Sequence, residues 1–475
     1  MREINLPAHL KECDVQRQAG QTGQQSWPCD ALRAVLGKER VNSIAKKCNA
    51  GDVRRRDLPI ELFVESALLT VSEKQGYGLY PKQAATACRL SQNTDRPIDA
   101  LTRSAVGKQM LKRDWTLFME LLKTVLKQHW HLLSPLDKHY LKKFKDARIV
   151  DSTVVGLNKV LLREFQANEE GEAALKIHTV FDTKFVPVGI HVTEQRYADV
   201  NFEFLTGEKN VFYLFDLGYW CFDLFTEIME QDSFFLSRMK SDCDPRICEF
   251  LSPGYSALNG RRIRLSELKD CNLLSGDTFD AKVRLPGIIE QLRLVGLKHN
   301  GEWYFYVTNI TDKEFTPQVI YEIYRLRWQI ELFFKWLKHI LSLKHISGQR
   351  VNSIMSQIYA AMIVYLITRL IVERASRAYG TPFEKFSLEK CLNLVMMNFD
   401  AVLKFMHGEP PPEYLLRLMA SPLGLKERPR RKAVKCPVLG QKLHYITGLL
   451  DAIPESCLCR LRSILAGSQN LFSLS

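Results

Sequence analysis

The strongest constraint on the fold of this 475-residue chain is a series of strand-like segments between residues 147 and 216. Apolar, β-branched and aromatic residues dominate these segments, a composition typical of strands. They cover residues 147–155, 175–182, 185–193 and 211–216, and a tight Asp-Thr-Lys turn joins the second to the third. Three strands, a helical stretch and a further strand predict an α/β fold, with a mixed sheet and helices on its faces.

The rest of the chain changes character twice. Short β-rich runs with glycine and proline fill the interval from Cys221 to Asp312, and helical periodicity dominates before residue 145 and again from Pro317. We therefore predict a helical N-terminal region over residues 1–145, an α/β domain over 146–400 with a β-rich insertion at about 221–312, and a helical, basic C-terminal segment over 401–475.

The formal net charge of +13 favours binding to polyanions, because basic residues neutralise phosphates and release their counterions. Nucleic acid is the first partner to consider. Two basic segments fit either contact with DNA or a solvated surface: one before a core helix, in what is then a small DNA-binding head, and one near the C-terminus. These segments contain Arg54, Arg55 and Arg56, and Lys426, Arg428, Arg430, Arg431, Lys432 and Lys435.

The sequence favours a cytoplasmic protein without a membrane segment. Residues 1–14 lack the apolar core of a secretory signal. The apolar run Ile354 to Val372 contains Gln357 and Arg369, which predicts a buried helix rather than a membrane-spanning one. The twelve cysteines are scattered without the paired spacings of zinc sites, so we expect reduced thiols.

Two aspartates accompany predicted strands. Asp151 interrupts the apolar run from Ile149 to Val155, and Asp216 follows the apolar segment 212–215. A carboxylate in a buried strand is costly unless it is paired or bound to a cation, and ligands gather at strand ends in open sheets. Each aspartate alone also fits a purely structural role at a strand end or turn.

The segment 321–340 contains no glycine or proline and predicts one continuous helix. On such a helix Tyr324, Arg327, Glu331 and Lys338 fall within about 60° of one another, beside an apolar stripe. A solvated face with an Arg327–Glu331 ion pair is the alternative interpretation.

These residues resemble the signature of the IS-four family of bacterial insertion-sequence transposases, in which Tyr, Arg, Glu and Lys recur at these spacings after two strand-end aspartates. Further stretches are similar to the family as well. They are Asp-Ser-Thr at 151–153, Asp-Leu-Gly-Tyr at 216–219, Arg-Arg-Arg-Asp-Leu-Pro at 54–59 and Gln-Ile-Tyr-Ala-Ala-Met-Ile at 357–363.

The resemblance implies a ribonuclease-H-like catalytic core with the β-rich insertion between the second aspartate and the glutamate. It implies that Asp151, Asp216 and Glu331 are the catalytic residues and ligate two Mg²⁺ ions, for which Mn²⁺ substitutes. Hard cations prefer carboxylate oxygens, and two of them stabilise the attacking and leaving oxygens of a phosphoryl displacement. The resemblance further implies that water frees a 3′ hydroxyl at the element end, and that this hydroxyl then attacks a phosphodiester of target DNA.

The resemblance also implies DNA contacts. Tyr324, Arg327 and Lys338 are expected to bind DNA phosphates. Tyr304, with Trp303 beside it, stands where some relatives that form a DNA hairpin stack a tryptophan on a flipped base. Trp328 is expected either to stack on DNA or to pack in the core. The implied partners are double-stranded DNA, as inverted-repeat ends and as target, and a second copy of the chain, in the nucleoid.

Two alternatives share the fold. One is a relative that binds DNA without cutting it. The other is a metal-dependent nuclease or phosphatase that hydrolyses without joining.

Overall fold

A computed structural model describes residues 4–5, 36–51, 58–71, 79–92, 94, 97–133, 138–252, 255, 263–271, 274, 276–339, 350–407 and 409–426. The basic segment 54–56 and the arginines and lysines beyond residue 426 lie outside these residues. In chain order the helices are α1 (Lys38–Lys47), α2 (Ile60–Thr70), α3 (Leu79–Ser91), α4 (Arg103–Lys112), α5 (Thr116–His129), α6 (Phe222–Glu230), α7 (Leu265–Asp270), α8 (Pro317–Arg325), α9 (Trp328–His339), α10 (Val351–Tyr379), α11 (Leu388–Met397), α12 (Phe399–Met406) and α13 (Glu413–Ala420). The strands are β1 (Ile4–Asn5), β2 (Asp146–Leu157), β3 (Ala173–Asp182), β4 (Pro187–Glu194), β5 (Val211–Phe215), β6 (Phe234–Arg238), β7 (Arg246–Phe250), β8 (Ile263–Arg264), β9 (Thr278–Arg284), β10 (Leu292–His299) and β11 (Glu302–Thr308).

The strands form one mixed sheet in the order β1-β4-β3-β2-β5-β6-β11-β10-β9-β7-β8. β2, β3 and β4 are antiparallel, whereas β5 is parallel to both β2 and β6. All five residues of β5 are buried, which explains their unbroken apolar sequence, because a central parallel strand is covered on both faces. The predicted mixed sheet with helices is confirmed.

The turn between β3 and β4 is longer than the sequence predicts. The Lys184 amide N–H donates to the Asp182 Oδ1 atom at 2.8 Å, and Phe185 has a φ of 56°. A non-glycine residue in this left-handed region does not continue a strand. The third predicted strand therefore begins at Pro187 instead of at residue 185.

The predicted β-rich insertion continues the same sheet. β11 is antiparallel to β6, and β10, β9, β7 and β8 follow outward from it. One face carries an aromatic core that includes Phe235, Phe279 and Phe305. The predicted interval 221–312 begins too early, because it includes α6 and β6. β6 is the parallel neighbour of β5 and is therefore part of the central sheet.

The chain divides into two compact units, one of residues 1–7 and 135–335 and the other of residues 8–134 and 336–475. The second unit is built around α10, which ends at Gly380 in the left-handed conformation. This helix is long and apolar enough to cross a membrane, and its apolar window is entirely buried. The buried helix expected there is confirmed. The division into 1–145, 146–400 and 401–475 remains a prediction.

The segment predicted as one continuous helix over 321–340 is interrupted, which corrects that prediction. α8 ends at Arg325 and α9 begins at Trp328. The amides of Leu326 and Arg327 bond to carbonyls three residues back, at 2.9 and 3.1 Å, instead of four residues back. Such i→i+3 bonds tighten the backbone and change the direction of the side chains that follow. The break therefore lies between Tyr324 and Glu331.

Candidate active site

The first two predicted acids lie where the pairing of two parallel strands ends. Asp151 is on β2, and Asp216 directly follows β5. The register pairs Val150 with Phe215, so the next residue along each strand is an aspartate. Because parallel neighbours run in the same direction, this register brings together two acids that are distant in the sequence, at the kind of sheet edge where ligands bind.

Asp151 is the more enclosed of the two, with 14% of its side chain exposed against 40% for Asp216. The Ser152 amide N–H donates to Asp151 Oδ1 at 2.8 Å. Burial raises the pKa of Asp151 to about 7; the charges of Asp216 and Glu331 act in the same direction, against the Ser152 hydrogen bond and Arg327. The ionised form of Asp151 is therefore costly unless a cation lies next to it.

The third acid, Glu331, lies in the first turn of α9, with 30% of its side chain exposed. The free amide groups at a helix N-terminus carry partial positive charge, which favours an acidic side chain there.

A single guanidinium contacts all three acids. Arg327 Nη2 donates to Glu331 Oε1 at 2.6 Å, and Nη1 donates to Asp151 Oδ2 at 3.3 Å. The same Nη1 atom is 3.6 Å from Asp216 Oδ2. The Arg327 side chain is 15% exposed, and its Nε has no hydrogen-bond partner among the described residues. The tight turn between α8 and α9 is what directs this side chain to the acids.

Tyr324, on the last turn of α8, completes the group. Its hydroxyl donates to Asp216 Oδ1 at 3.3 Å, and its ring centre is 4.7 Å from that of Tyr306. Burial raises the pKa of Tyr324, so the phenol keeps its proton and acts as a donor.

Lys338 belongs to the second compact unit, on the later part of α9. Its side chain is half-buried, and this desolvation lowers its pKa. Its predicted role as a phosphate ligand remains a prediction.

A cavity of about 760 Å³ opens beside Tyr324 and Arg327. Its wall is aromatic and basic, a combination that suits the flat face of a nucleobase and the charge of a phosphate. The residues with these properties are Lys138, Tyr140, Arg238, His299, Tyr304, Tyr306, Tyr321, Tyr324, Arg325, Arg327 and Trp328.

The three aromatics predicted to stack on a base are placed differently. Tyr304 lines the cavity, with the Arg238 guanidinium carbon 4.9 Å from its ring centre. Trp328 also lines it and is 58% exposed, which favours the surface position over the core one. Trp303, the neighbour of Tyr304 on β11, instead packs on the aromatic core, with its ring centre 6.0 Å from that of Phe305.

The donor set fits divalent metal ions by its chemistry, because carboxylate oxygens are the ligands that Mg²⁺ and Mn²⁺ prefer. Within the described ranges, no group of three or more His, Cys, Asp or Glu side chains is close enough to enclose an ion. The Arg327 guanidinium is the cation that stands among the three acids. One positive charge against three carboxylates leaves this site acidic.

Three residues near the site were not predicted from the sequence. Tyr306 and Arg238 lie opposite each other on β11 and β6 and line the cavity; alternation along β11 would have put Tyr306 on the same face as Tyr304. Asp199 contacts Ser152, the neighbour of Asp151, at 2.7 Å. Asp199 lies in a polar connecting segment whose sequence carries no signal for such a contact.

Comparison with known proteins matches the part of the chain that contains these acids. The family model described as a transposase DDE domain matches residues 142–367. A protein of Sinorhizobium fredii named as a transposase is 28% identical over 232 residues, which are 47% of this chain and 60% of that protein. A Geobacillus stearothermophilus protein, named as the transposase of an insertion sequence element, is 25% identical over 245 residues, 49% of this chain and 58% of the relative.

A Synechocystis protein, also named as an insertion-sequence transposase, is 41% identical over 115 residues, 23% of this chain and 32% of its own length. The chain thus spans 60% and 58% of the length of the first two relatives. Among solved structures, a cryo-EM structure of the piggyBac transposase synaptic complex with hairpin DNA has a TM-score of 0.42 and 11% identity, covering 86% of this chain and 88% of that chain. The family match and the relatives bear out the expected resemblance: residues 142–367 are similar to a transposase DDE domain, and proteins named as transposases of insertion sequence elements are among the relatives.

Proposed function

We propose that this chain is a metal-dependent DNA transposase that cuts DNA at element ends and joins the freed ends to target DNA. The observation that carries the proposal is the meeting of three carboxylates, Asp151, Asp216 and Glu331, around one guanidinium. One arginine does not neutralise three acids, so the site retains affinity for further cations.

The three acids would hold two Mg²⁺ ions, or Mn²⁺ in their place. Bound there, the ions would polarise the phosphodiester and stabilise the attacking and leaving oxygens. Arg327 would then be free to contact a DNA phosphate, which accepts the same forked hydrogen bonds as a carboxylate. Tyr324 would donate its hydroxyl proton either to Asp216 or to the same phosphate.

A ribonuclease-H-like core is supported by the strand order. Three antiparallel strands, β4, β3 and β2, are followed outward by two strands parallel to β2, namely β5 and β6. This order also explains why Asp151 and Asp216 lie close together, because β2 and β5 are neighbouring strands. The β-rich insertion then occupies the chain between Asp216 and Glu331.

DNA as the partner is supported by a row of exposed arginines on the insertion, of which Arg264 also pairs with Asp244 at 3.5 Å. Arg264, Arg246 and Arg284 lie in register on the neighbouring strands β8, β7 and β9, and all three are exposed. Like charges placed directly opposite one another destabilise a sheet, and a polyanion bound along the row would relieve that repulsion. Strands about 4.8 Å apart put the three side chains within roughly 10 Å, which suits successive phosphates.

Base stacking is supported for Tyr304 and Trp328, which share the cavity with Tyr324 and Arg327. The packing of Trp303 in the aromatic core gives it no such support.

We further propose that two copies of the chain pair two inverted-repeat ends, and that they act in the cytoplasm on nucleoid DNA. A paired-end complex with only one protein chain would contradict this assembly.

The test uses purified protein, Mg²⁺ and a plasmid that carries the DNA sequences flanking the gene as candidate ends. We expect double-strand breaks at those ends that need the metal and disappear in Asp216→Asn. Asp232→Asn is the matched control, because this exposed aspartate pairs with Lys209 away from the site. Cuts that persist in Asp216→Asn would overturn the proposal.

The same reaction separates the alternatives. Joined products, in which a 3′ end is linked to target DNA, would exclude a nuclease or phosphatase that only hydrolyses. Specific binding of the ends without any cuts would identify a catalytically silent relative instead.

A further inference from the structure

A fourth carboxylate, Asp199, stands behind the candidate site and contacts both segments that carry the first two acids. It lies in a short 3-10 turn, Asp199–Asn201, after β4, and 22% of its side chain is exposed. No described contact joins it to Arg327. Its environment therefore differs from that of Asp151, Asp216 and Glu331.

On one side Asp199 is bonded to β2. The Ser152 hydroxyl donates to Asp199 Oδ1 at 2.7 Å, and Ser152 directly follows Asp151. The amide of the same serine donates to the Asp151 carboxylate. Ser152 thus links the two aspartates, with its backbone on Asp151 and its side chain on Asp199.

On the other side Asp199 packs on the backbone that follows Asp216. A Cβ atom added to Gly218 would lie 3.1 Å from Asp199 Oδ2, a distance tighter than most real contacts. A side chain at this position would require the Asp199 carboxylate to shift by a few tenths of an ångström. The next residue, Tyr219, is 1% exposed and fixed in the aromatic core.

The charge of Asp199 is balanced from β3. Lys176 Nζ is 3.3 Å from Asp199 Oδ1 and also donates to the Tyr197 carbonyl at 2.7 Å. His178 Nδ1 is 3.5 Å from the same Oδ1 atom, but burial lowers the pKa of this histidine to about 4, so Lys176 supplies the positive charge at neutral pH. With these partners, the Asp199 side chain cannot move without breaking several contacts.

We propose that Asp199 is a positioning residue that fixes the spacing of Asp151 and Asp216, and thereby sets the affinity of the candidate site for divalent metal ions. This inference rests on the proposed function. Asp199 acts through Ser152 and Gly218 and does not itself touch the ions or DNA. Outer residues that orient metal ligands typically change metal affinity by about 10- to 100-fold when they are altered.

The experiment measures Mn²⁺ binding by electron paramagnetic resonance, without DNA, in the full chain and in Asp199→Asn. The asparagine keeps the size of the side chain and removes its charge. We expect the Mn²⁺ dissociation constant to rise about tenfold. In the cleavage reaction, the Mn²⁺ concentration for half-maximal rate should rise by a similar factor, while the rate at saturating Mn²⁺ falls much less.

Asp280→Asn is the matched control, because Asp280 also pairs closely with a basic side chain, Arg293, at 2.6 Å, but does so inside the insertion. We expect it to lower the melting temperature and to leave Mn²⁺ binding unchanged. Unaltered Mn²⁺ binding in Asp199→Asn, or an equal loss in both variants, would overturn the inference.

If Asp199→Asn does not fold, Ser152→Ala provides the test, because it removes one hydrogen bond to Asp199 and leaves every charge in place. We expect a smaller rise in the dissociation constant in this variant; no rise would overturn the inference. If the unaltered chain binds no Mn²⁺ through Asp216, the proposed function fails, whereas Asp199 alone fails if binding is present and unaffected by its change.

Discussion

The same ion pair occurs twice in this chain, with opposite surroundings. Arg369 and Glu373 on α10 and Arg327 and Glu331 at the start of α9 are both four residues apart, at 2.8 and 2.6 Å. The first pair is closed: both side chains are buried, Arg377 adds a second cation at 3.2 Å from Glu373, and Phe383 covers Arg369. In the second pair one arginine faces three acids, and 30% of Glu331 is exposed.

The difference separates a structural ion pair from a binding site. A buried pair whose charges are satisfied stabilises the fold mainly because breaking it leaves an uncompensated charge. A partly exposed cluster with excess charge of one sign costs stability and gains from a ligand of the opposite sign. Sequence spacing alone does not distinguish the two pairs.

The largest expected effect is on catalysis. Glu331→Gln should reduce end cleavage by roughly 10³-fold, because it removes one of the three carboxylates proposed to ligate metal. Glu373→Gln should leave the activity per folded molecule near that of the unaltered chain. The measurement is the rate of end cleavage, normalised to the folded fraction from circular dichroism. Equal losses in the two variants would erase the distinction.

The second prediction reverses the order of the two variants. Glu373→Gln leaves Arg369 buried without its acid and should lower the free energy of unfolding by about 3–5 kcal/mol. Glu331→Gln relieves an excess of acid and should change it by less than about 1 kcal/mol. Urea denaturation of both variants without metal provides the comparison. A large destabilisation by Glu331→Gln would make that glutamate structural.

Lowering the pH should also change the free energy of unfolding in opposite directions through one group in each of the two compact units. Burial lowers the pKa of His129 to about 4, and its Nδ1 donates to the Val125 carbonyl at 2.9 Å. In the unfolded chain His129 takes up a proton near pH 6.5, whereas in the folded chain it does so only near pH 4. Protonation therefore favours the unfolded chain, and this histidine destabilises the fold as the pH falls through that range. At pH 5 the loss should be roughly 2 kcal/mol relative to pH 8.

His129→Gln should flatten this part of the pH dependence, measured as free energy of unfolding in metal-free buffer.

At the candidate site, lowering the pH should instead raise the free energy of unfolding. The pKa of Asp151 is raised to about 7, so acid favours its neutral form in the fold and relieves the excess of negative charge. A steeper loss at low pH in His129→Gln would contradict the prediction.

The smallest effect concerns the exposed arginine row of the insertion. Changing Arg246 and Arg284 to Gln should lower the dependence of log affinity on log salt by about one for each phosphate that the variant no longer binds. Lys282→Gln is the control, because this lysine is already paired with Glu249 at 2.7 Å. Titration of labelled end DNA at several salt concentrations measures both. Identical slopes would show that the row does not contact DNA.

The acids were predictable from the sequence because each departs from its surroundings. Asp151 and Asp216 interrupt or end apolar segments in which an unpaired carboxylate is costly, and Glu331 recurs at a fixed spacing from Arg327 and Tyr324. Their meeting depends on the parallel register of β2 and β5, a long-range pairing that no local pattern encodes.

The position of Arg327 was less predictable. The segment around it has good helix formers and no glycine or proline, so its sequence predicts an unbroken helix. At the turn formed by Leu326 and Arg327, the arginine contacts acids from two strands that are distant in the sequence. Helix propensity depends on neighbouring residues alone and therefore does not predict these contacts. Asp199 escaped prediction for a similar reason, because its partners come from β2, β3 and the turn after β5.

One consequence follows from the way the insertion is attached. β11 is hydrogen-bonded directly to β6, so the insertion and the acid-bearing strands share one continuous backbone ladder. A module joined only by two flexible connections would be free to swing, whereas a shared ladder resists bending across its strands. Tyr306 pairs with Arg238 of β6 in this ladder, and Tyr304 lies two residues before it on the same strand, so main-chain bonds fix the wall that both form relative to the acid-bearing strands.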